Sequence, residues 1–161
     1  MIILSLDQAL KISGYAIYEE NNLIKSGTFT IPANKPIEER LLCFWKELNN
    51  LYNEHDFSKI IFEDIQYQSN AETYKKLAYV QSAILLWCVN QNIKFEILAP
   101  SHWRSVLKEK YGVSFGRSRA EQKKKAQELV KDRFKFDASE DECDAICIGL
   151  AAQLDKKGSA F

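Results

Sequence analysis

Ile2-Ile3-Leu4-Ser5-Leu6-Asp7, running through Gln8-Ala9-Leu10-Lys11-Ile12-Ser13-Gly14 into Tyr15-Ala16-Ile17-Tyr18, is the stretch whose reading decides the fold. A short apolar run rich in branched residues reads as a buried central strand. The small and polar residues after it read as a turn, and Tyr15 to Tyr18 as the hairpin partner. Asp7 stands where the first strand leaves the core. A carboxylate there is costly unless it is hydrogen-bonded, paired or bound to a cation. On this stretch alone, capping of the strand end by turn amides satisfies it as well as a cation does, so the other acids of the chain must decide.

Working outward, Leu23 to Ile31 alternates as a third strand entered through the Asn21-Asn22 turn, which makes three antiparallel strands in succession. Pro32 and Pro36 break the pattern, and apolar residues at helical spacing follow from Ile37 to Tyr52. Ser58 to Glu63 is another short buried strand, and it also ends on an acid. A long, mostly buried helix is predicted over Ala71 to Val89, and a fifth strand over Lys94 to Leu98. Ser101 is the expected N-cap of a helix from His102 to Lys110. A glycine-containing loop over residues 111–118 leads into a basic helix from Arg119 to Arg133. Ser139-Glu140-Asp141-Glu142 opens the last helix, with acids where the helix dipole favours them. This order predicts one α/β domain over residues 1–161: a five-stranded mixed sheet, its first three strands antiparallel, with helices on both faces.

The composition, 46% hydrophobic and 27% charged, is that of a soluble globular chain. No apolar run reaches the roughly 18 residues of a membrane span, and no basic segment precedes an apolar one at the start, so a cytoplasmic location is expected. The four cysteines show no CxxC spacing and read as free, buried thiols, while two histidines are too few for a histidine-rich zinc site. The formal net charge is zero but unevenly spread: from Arg104 to Lys135 eleven Lys or Arg stand against four acids. A solvated helix face and a surface for a polyanion both fit such a run.

The acids hold more information. Asp7 and Glu63 end two strands, and Asp141 and Asp144, three apart on one helix, project from one face. For the last two taken alone, complementing the helix N-terminus is a sufficient reason. If the sheet sets the first and fourth strands side by side, however, four carboxylates converge, and like charges that close need cations. Oxygen-only ligands select hard ions, Mg²⁺ or Mn²⁺. Two such ions per site serve phosphodiester hydrolysis by activating water and stabilising the leaving oxygen.

With these residues in place, the chain resembles the RuvC-type Holliday junction resolvases of the ribonuclease H-like nuclease superfamily. The resemblance rests on Ile2-to-Asp7 with Ser13-Gly14-Tyr15, on Ile60-Ile61-Phe62-Glu63 with Asn70-Ala71 beyond, and on Asp141-Glu142-Cys143-Asp144-Ala145. It implies a ribonuclease H-like fold, a homodimer, and paired metal-dependent nicks in four-way DNA junctions. Asp7, Glu63, Asp141 and Asp144 become the catalytic, metal-binding acids. The family has proline and glycine after the first aspartate where this chain has Gln8-Ala9, which marks a divergent member of the kind phages carry.

The resemblance also assigns DNA contacts. Gln66 and Tyr67 stand where the family places an aromatic wedge near the junction centre, and Tyr67 either stacks on an unpaired base or packs under its own loop. Arg104 and one of Lys123, Lys124 or Lys125 are candidates for positive charge beside the transition state. The remaining lysines, with Arg117 and Arg119, are candidates for backbone-phosphate contacts. A junction with two symmetry-related strands suits a two-fold protein, and the helix from Ala71, around Tyr74, Leu77 and Gln81, is long enough to meet its mate. Cleavage of RNA–DNA hybrids and non-catalytic junction binding are the competing readings. A sugar-kinase-like nucleotide fold would need glycine-rich phosphate loops, and the chain has six glycines in all.

Overall fold

The computed structural model describes residues 1–155; residues 156–161, the end of the expected domain, lie outside the described residues. The chain runs β1 (Ile2–Asp7), β2 (Ile12–Glu19), β3 (Asn22–Thr30), α1 (Ile37–His55), β4 (Lys59–Glu63), α2 (Ala71–Gln91), β5 (Lys94–Leu98), α3 (Pro100–Tyr111), α4 (Arg119–Phe134) and α5 (Glu140–Leu154). The five strands form one sheet in the order β3-β2-β1-β4-β5. The first three are mutually antiparallel, as the sequence predicts, and β4 and β5 run parallel to β1, which makes the sheet mixed. The parallel joins require crossovers, which α1 and α2 supply.

Side chains alternate across a strand, and here the alternation sorts the core into two layers. Leu4, Leu6, Ile17, Ile60 and Phe62 pack under α1 and α2 with Phe44, Leu48, Val80, Ile84 and Trp87. Ile3, Ala16, Tyr18 and Ile61 turn to the opposite face, against α3, α4 and α5. By the same period of two, Asp7 continues the row of Ile3 and Ser5, and Glu63 continues that of Ile61. Both strand-ending acids are thereby carried to the α5 side.

α5 is the central helix of that layer, buried continuously from Cys143 to Ala151. Ser5 Oγ donates to the Ala145 carbonyl at 2.7 Å and Tyr18 Oη to that of Ile146 at 2.7 Å, which fixes the helix over β1 and β2. Its start approaches so closely that a Cβ on Gly14 would lie 1.9 Å from the Asp141 carbonyl oxygen. Gly14 is the register partner of Asp7. The glycine therefore lets the first turn of α5 reach the end of β1.

Two expectations are corrected. Ser101 is not an N-cap: α3 begins at Pro100 with Ala99 as its cap residue, because the fixed φ and missing N–H of proline suit the first helical position. Nor is α2 mostly buried. Val80, Ile84, Trp87 and Cys88 are its buried residues, while Tyr74, Tyr79, Leu86 and Val89 are exposed, because the sheet can cover only one stripe of a helix that long. Cys43 is half-buried and Cys88, Cys143 and Cys147 are buried, all as free thiols. Among the described residues no helix is long and apolar enough to cross a membrane.

Candidate active site

Three of the four acids meet at one atom. Lys123 Nζ hydrogen-bonds Asp144 Oδ2 and lies 3.9 Å from Asp7 Oδ2 and 3.9 Å from Asp141 Oδ1. The fourth, Glu63, is held beside them by Trp103, whose indole N–H donates to Glu63 Oε2 at 2.7 Å. The local causes are plain. Ser139 caps α5 by accepting from the Glu142 amide, which sets the phase at which Asp141 and Asp144 point to β1. On α4, Lys123 shares a stripe with Ala126 and Val130, both buried, and so turns inward with them.

The electrostatics follow from crowding. Burial pushes the Asp7 carboxyl well above its usual range, and the neighbouring Asp144, Glu63 and Asp141 push the same way against the pull of Lys123. Burial also raises Asp144, partly offset by the charge and hydrogen bond of Lys123 and by Arg104. Glu63 is raised by burial and relieved first by its bond from Trp103. Burial pulls the Lys123 ammonium down, but Asp144, Asp7 and Asp141 together outweigh it and hold its pKa above the ordinary value. Without an added cation, the acid cluster is thus neutralised in part by the protein's own lysine. As placed, no group of three His, Cys, Asp or Glu among the described residues is gathered tightly enough to enclose a metal ion.

The three consecutive lysines separate clearly. Lys123 faces the acids, Lys124 is exposed, and Lys125 pairs with Glu128 at 3.2 Å on the outer surface. Arg104 stacks with its guanidinium 4.8 Å from the Trp103 ring centroid, and its charge lowers Glu63 and Asp144. Arg117 and Arg119 are exposed, before and at the start of α4. Phe115, in the loop after α3, is buried edge-on against Trp103 at 5.5 Å and anchors that loop.

Beyond β4, Gln66 lines a crevice of about 130 Å³ that Asp7 and Glu63 also line. Tyr67 does not; it is 62% exposed and leans on Tyr74 at the start of α2, edge to face at 5.5 Å. Trp103 was not singled out from the sequence. The available signal was an aromatic donor in the first turn of a helix that directly follows a buried strand.

A protein-family model described as crossover junction endodeoxyribonuclease RuvC matches residues 3–152. The chain belongs to the RuvC family. Its members are nucleases that depend on a divalent metal. RuvC proteins of Finegoldia magna and Alkaliphilus oremlandii are 26% and 28% identical to it, each over 93% of this chain and 91% of the relative. Among solved structures, Thermus thermophilus RuvC in complex with a Holliday junction substrate superposes with a TM-score of 0.77 at 12% identity, over 96% of this chain and 94% of that one. The yeast mitochondrial Holliday junction resolvase Ydc2 gives 0.57 at 18% identity, over 96% and 80%. These likenesses fix the RuvC, ribonuclease H-like fold.

Proposed function

We propose that this chain resolves four-way DNA junctions by metal-dependent phosphodiester hydrolysis, as a single domain over residues 1–161, with Asp7, Glu63, Asp141 and Asp144 as its metal-holding acids. The observation that carries the reading is the convergence of three carboxylates from β1 and α5 on one cationic atom, Lys123 Nζ, beside Glu63. A place that already holds an ammonium among oxygens suits a small hard dication. A donor set without histidine or cysteine selects Mg²⁺, with Mn²⁺ as a substitute. Two such ions, when bound, supply the activation of water and the charge neutralisation that in-line displacement at a phosphodiester needs.

The chain's own residues do the positioning. Trp103 holds one oxygen of Glu63, so the carboxylate presents the other without rotating. Lys123, beside Asp144, and Arg104, kept in position by Trp103, would offer positive charge to the scissile phosphate, while Asp7, Glu63, Asp141 and Asp144 would hold the dications. Gln66 at the crevice and Tyr67 above α2 face the junction centre, where an aromatic ring stacked on an unpaired base contributes about 1–3 kcal/mol. Lys124, Lys125, Arg117 and Arg119 neutralise backbone phosphates, giving affinity that falls steeply with salt.

A labelled four-way junction, mapped strand by strand beside an RNA–DNA hybrid, tests the reading. Symmetric paired nicks in Mg²⁺ and none with chelator support it. Cleavage of the hybrid alone, or binding without cleavage, overturns it. A narrower test is Trp103→Phe, which keeps the contact with Phe115 but removes the donor to Glu63. Mn²⁺ affinity measured by calorimetry is expected to fall roughly tenfold, the usual cost of losing an outer partner of a ligand, with little change in fold.

The same reading assigns a homodimer, expected from the sequence around Tyr74, Leu77 and Gln81 of α2. Leu77, however, lines the crevice of the acids and Gln81 is half-buried, so the interface is better assigned to another side of the helix, where Leu41, Leu42, Trp45, Tyr79 and Leu86 form an apolar groove between α1 and α2. Leu86→Glu is expected to give a monomer in sedimentation at micromolar concentration and to convert paired nicks into isolated ones. A variant that sediments as the wild type does would remove this face from the interface.

A further inference from the structure

Gln8, directly after Asp7, is only 7% exposed although fully polar. Its amide N–H donates to the Glu63 carbonyl at 2.5 Å and so ties the ends of β1 and β4 together. Turning the amide over would set two acceptor oxygens against each other, so this bond fixes which end of the amide is which. The other end, Oε1, is buried and has no hydrogen-bond partner among the described residues. Buried acceptors are rarely left this way, and one beside an acid cluster points to something that satisfies it there.

Gln8 lines the crevice of about 130 Å³ that Asp7, Glu63, Gln66 and Pro100 also line. That volume exceeds several times the roughly 30 Å³ a water molecule occupies, enough for an ion with part of its hydration shell. Lys123 is not among the residues that line this crevice, although its Nζ lies 3.9 Å from Asp7 Oδ2. Amide oxygens are ordinary ligands of hard dications, and a neutral one adds a donor without adding a further negative charge to a crowded site.

We propose that Gln8 Oε1 is an additional oxygen ligand for a divalent cation held by Asp7 and Glu63 in this crevice. The inference rests on the metal-site reading above and assigns this chain a neutral donor beside its two strand-ending acids. Gln8 thus does two things at once: one end of its amide sets the spacing of the two strand-ending acids, and the other completes their donor set.

The test uses the whole protein without DNA. Mn²⁺ binding is followed by calorimetry, and inner-sphere waters on bound Tb³⁺ are counted from luminescence lifetimes in H₂O and D₂O. Wild type, Asp7→Asn, Gln8→Met and Gln8→Glu are compared. Gln8→Met keeps the length and loses the oxygen. It is expected to weaken Mn²⁺ roughly tenfold and to add about one water to the ion, since water fills a vacated ligand position. Gln8→Glu restores an oxygen but, like Gln8→Met, lacks the N–H to the Glu63 carbonyl, and is expected to bind more tightly than Gln8→Met. Unchanged affinity and water count in Gln8→Met overturn the inference, as does a Gln8→Glu variant weakened as much as Gln8→Met, which would leave only the strand-tying bond. If Gln8→Met does not fold, the wild-type protein still decides. A shift of the Gln8 ¹³Cδ signal on saturation with Mg²⁺ supports ligation, and its absence overturns it. Binding that Asp7→Asn abolishes and Gln8→Met leaves intact sinks the glutamine alone. No Mn²⁺ binding by wild type at millimolar concentration sinks the metal site itself.

Discussion

Asp7→Asn is expected to abolish junction cleavage while making the metal-free protein more stable. Asp7 is the acid common to both halves of the site: it faces Lys123, Asp141 and Asp144 on one side and lines the crevice of Glu63 and Gln8 on the other. Removing its charge takes a ligand from any cation bound on either side. Transition-state charge stabilisation by a metal amounts to several kcal/mol, which at about 1.4 kcal/mol per tenfold gives a rate loss on the order of 10³-fold or more. Junction binding, carried by phosphate contacts elsewhere, is expected to persist in a gel shift. Retained cleavage at the wild-type rate would remove Asp7 from the catalytic set.

The stability half of this prediction has a definite sign. Burial and the neighbouring acids raise the folded-state pKa of Asp7. A raised carboxyl stabilises the fold below its unfolded pKa, and that contribution is lost as pH rises through the folded value. At neutral pH the metal-free wild type therefore carries the cost of a crowded, ionised Asp7, which the asparagine does not. The melting temperature of Asp7→Asn should exceed that of wild type at neutral pH in chelator, and the gap should close as pH falls and Asp7 takes up its proton. Saturating Mg²⁺ should narrow the gap from the other direction, because it stabilises the wild type by binding the native state alone. A lower melting temperature for the variant at neutral pH would show that the cluster is not strained by its own charge.

Gly14→Ala is expected to be nearly as damaging to activity without touching any acid. Its added Cβ would fall 1.9 Å from the Asp141 carbonyl oxygen and 2.4 Å from the carbonyl carbon, and these are backbone atoms at the start of a helix pinned by Ser5 and Tyr18. Neither partner can yield by rotating a side chain, so the first turn of α5 must move off β2. A misplacement of about 1 Å costs on the order of 10²-fold in rate, and overpacking costs roughly 1–3 kcal/mol in stability, or several degrees in melting temperature for a chain of this size. The signature that separates displacement from unfolding is a cooperative melt, still native-like by circular dichroism, with Mn²⁺ affinity lost. An alanine variant with full affinity and rate would mean that α5 does not need its close seat on β2.

Much of this arrangement was legible in the sequence because it is built from short-range patterns. Short apolar runs identified β1 and β4 as strands ending on acids, and the three-residue spacing of Asp141 and Asp144 placed both on one helical face. The limits were equally physical. Ser101 resembled a cap because hydroxyls satisfy helix N–H groups, yet Pro100 needs no such partner and took the first position. The exposed face of α2 was invisible because apolar periodicity reports which residues prefer burial and not whether the sheet extends far enough to bury them. Among Lys123, Lys124 and Lys125, composition gives equal standing to all three. Only the phase of α4, set by Ala126, Leu129 and Val130 in the core, turns the first of them toward the acids.

By itself, then, the sequence determined the order of elements, the two-faced sheet and the acids at its strand ends, since each depends on residues a few positions apart. Tertiary structure alone decided that Lys123 is the ammonium among the acids, that Trp103 holds Glu63, and that Gln8 spans β1 and β4 with one polar atom left over. Each of these contacts joins segments 20 or more residues apart, and it is the docking of whole helices and strands, not any local preference, that brings such segments within hydrogen-bonding distance.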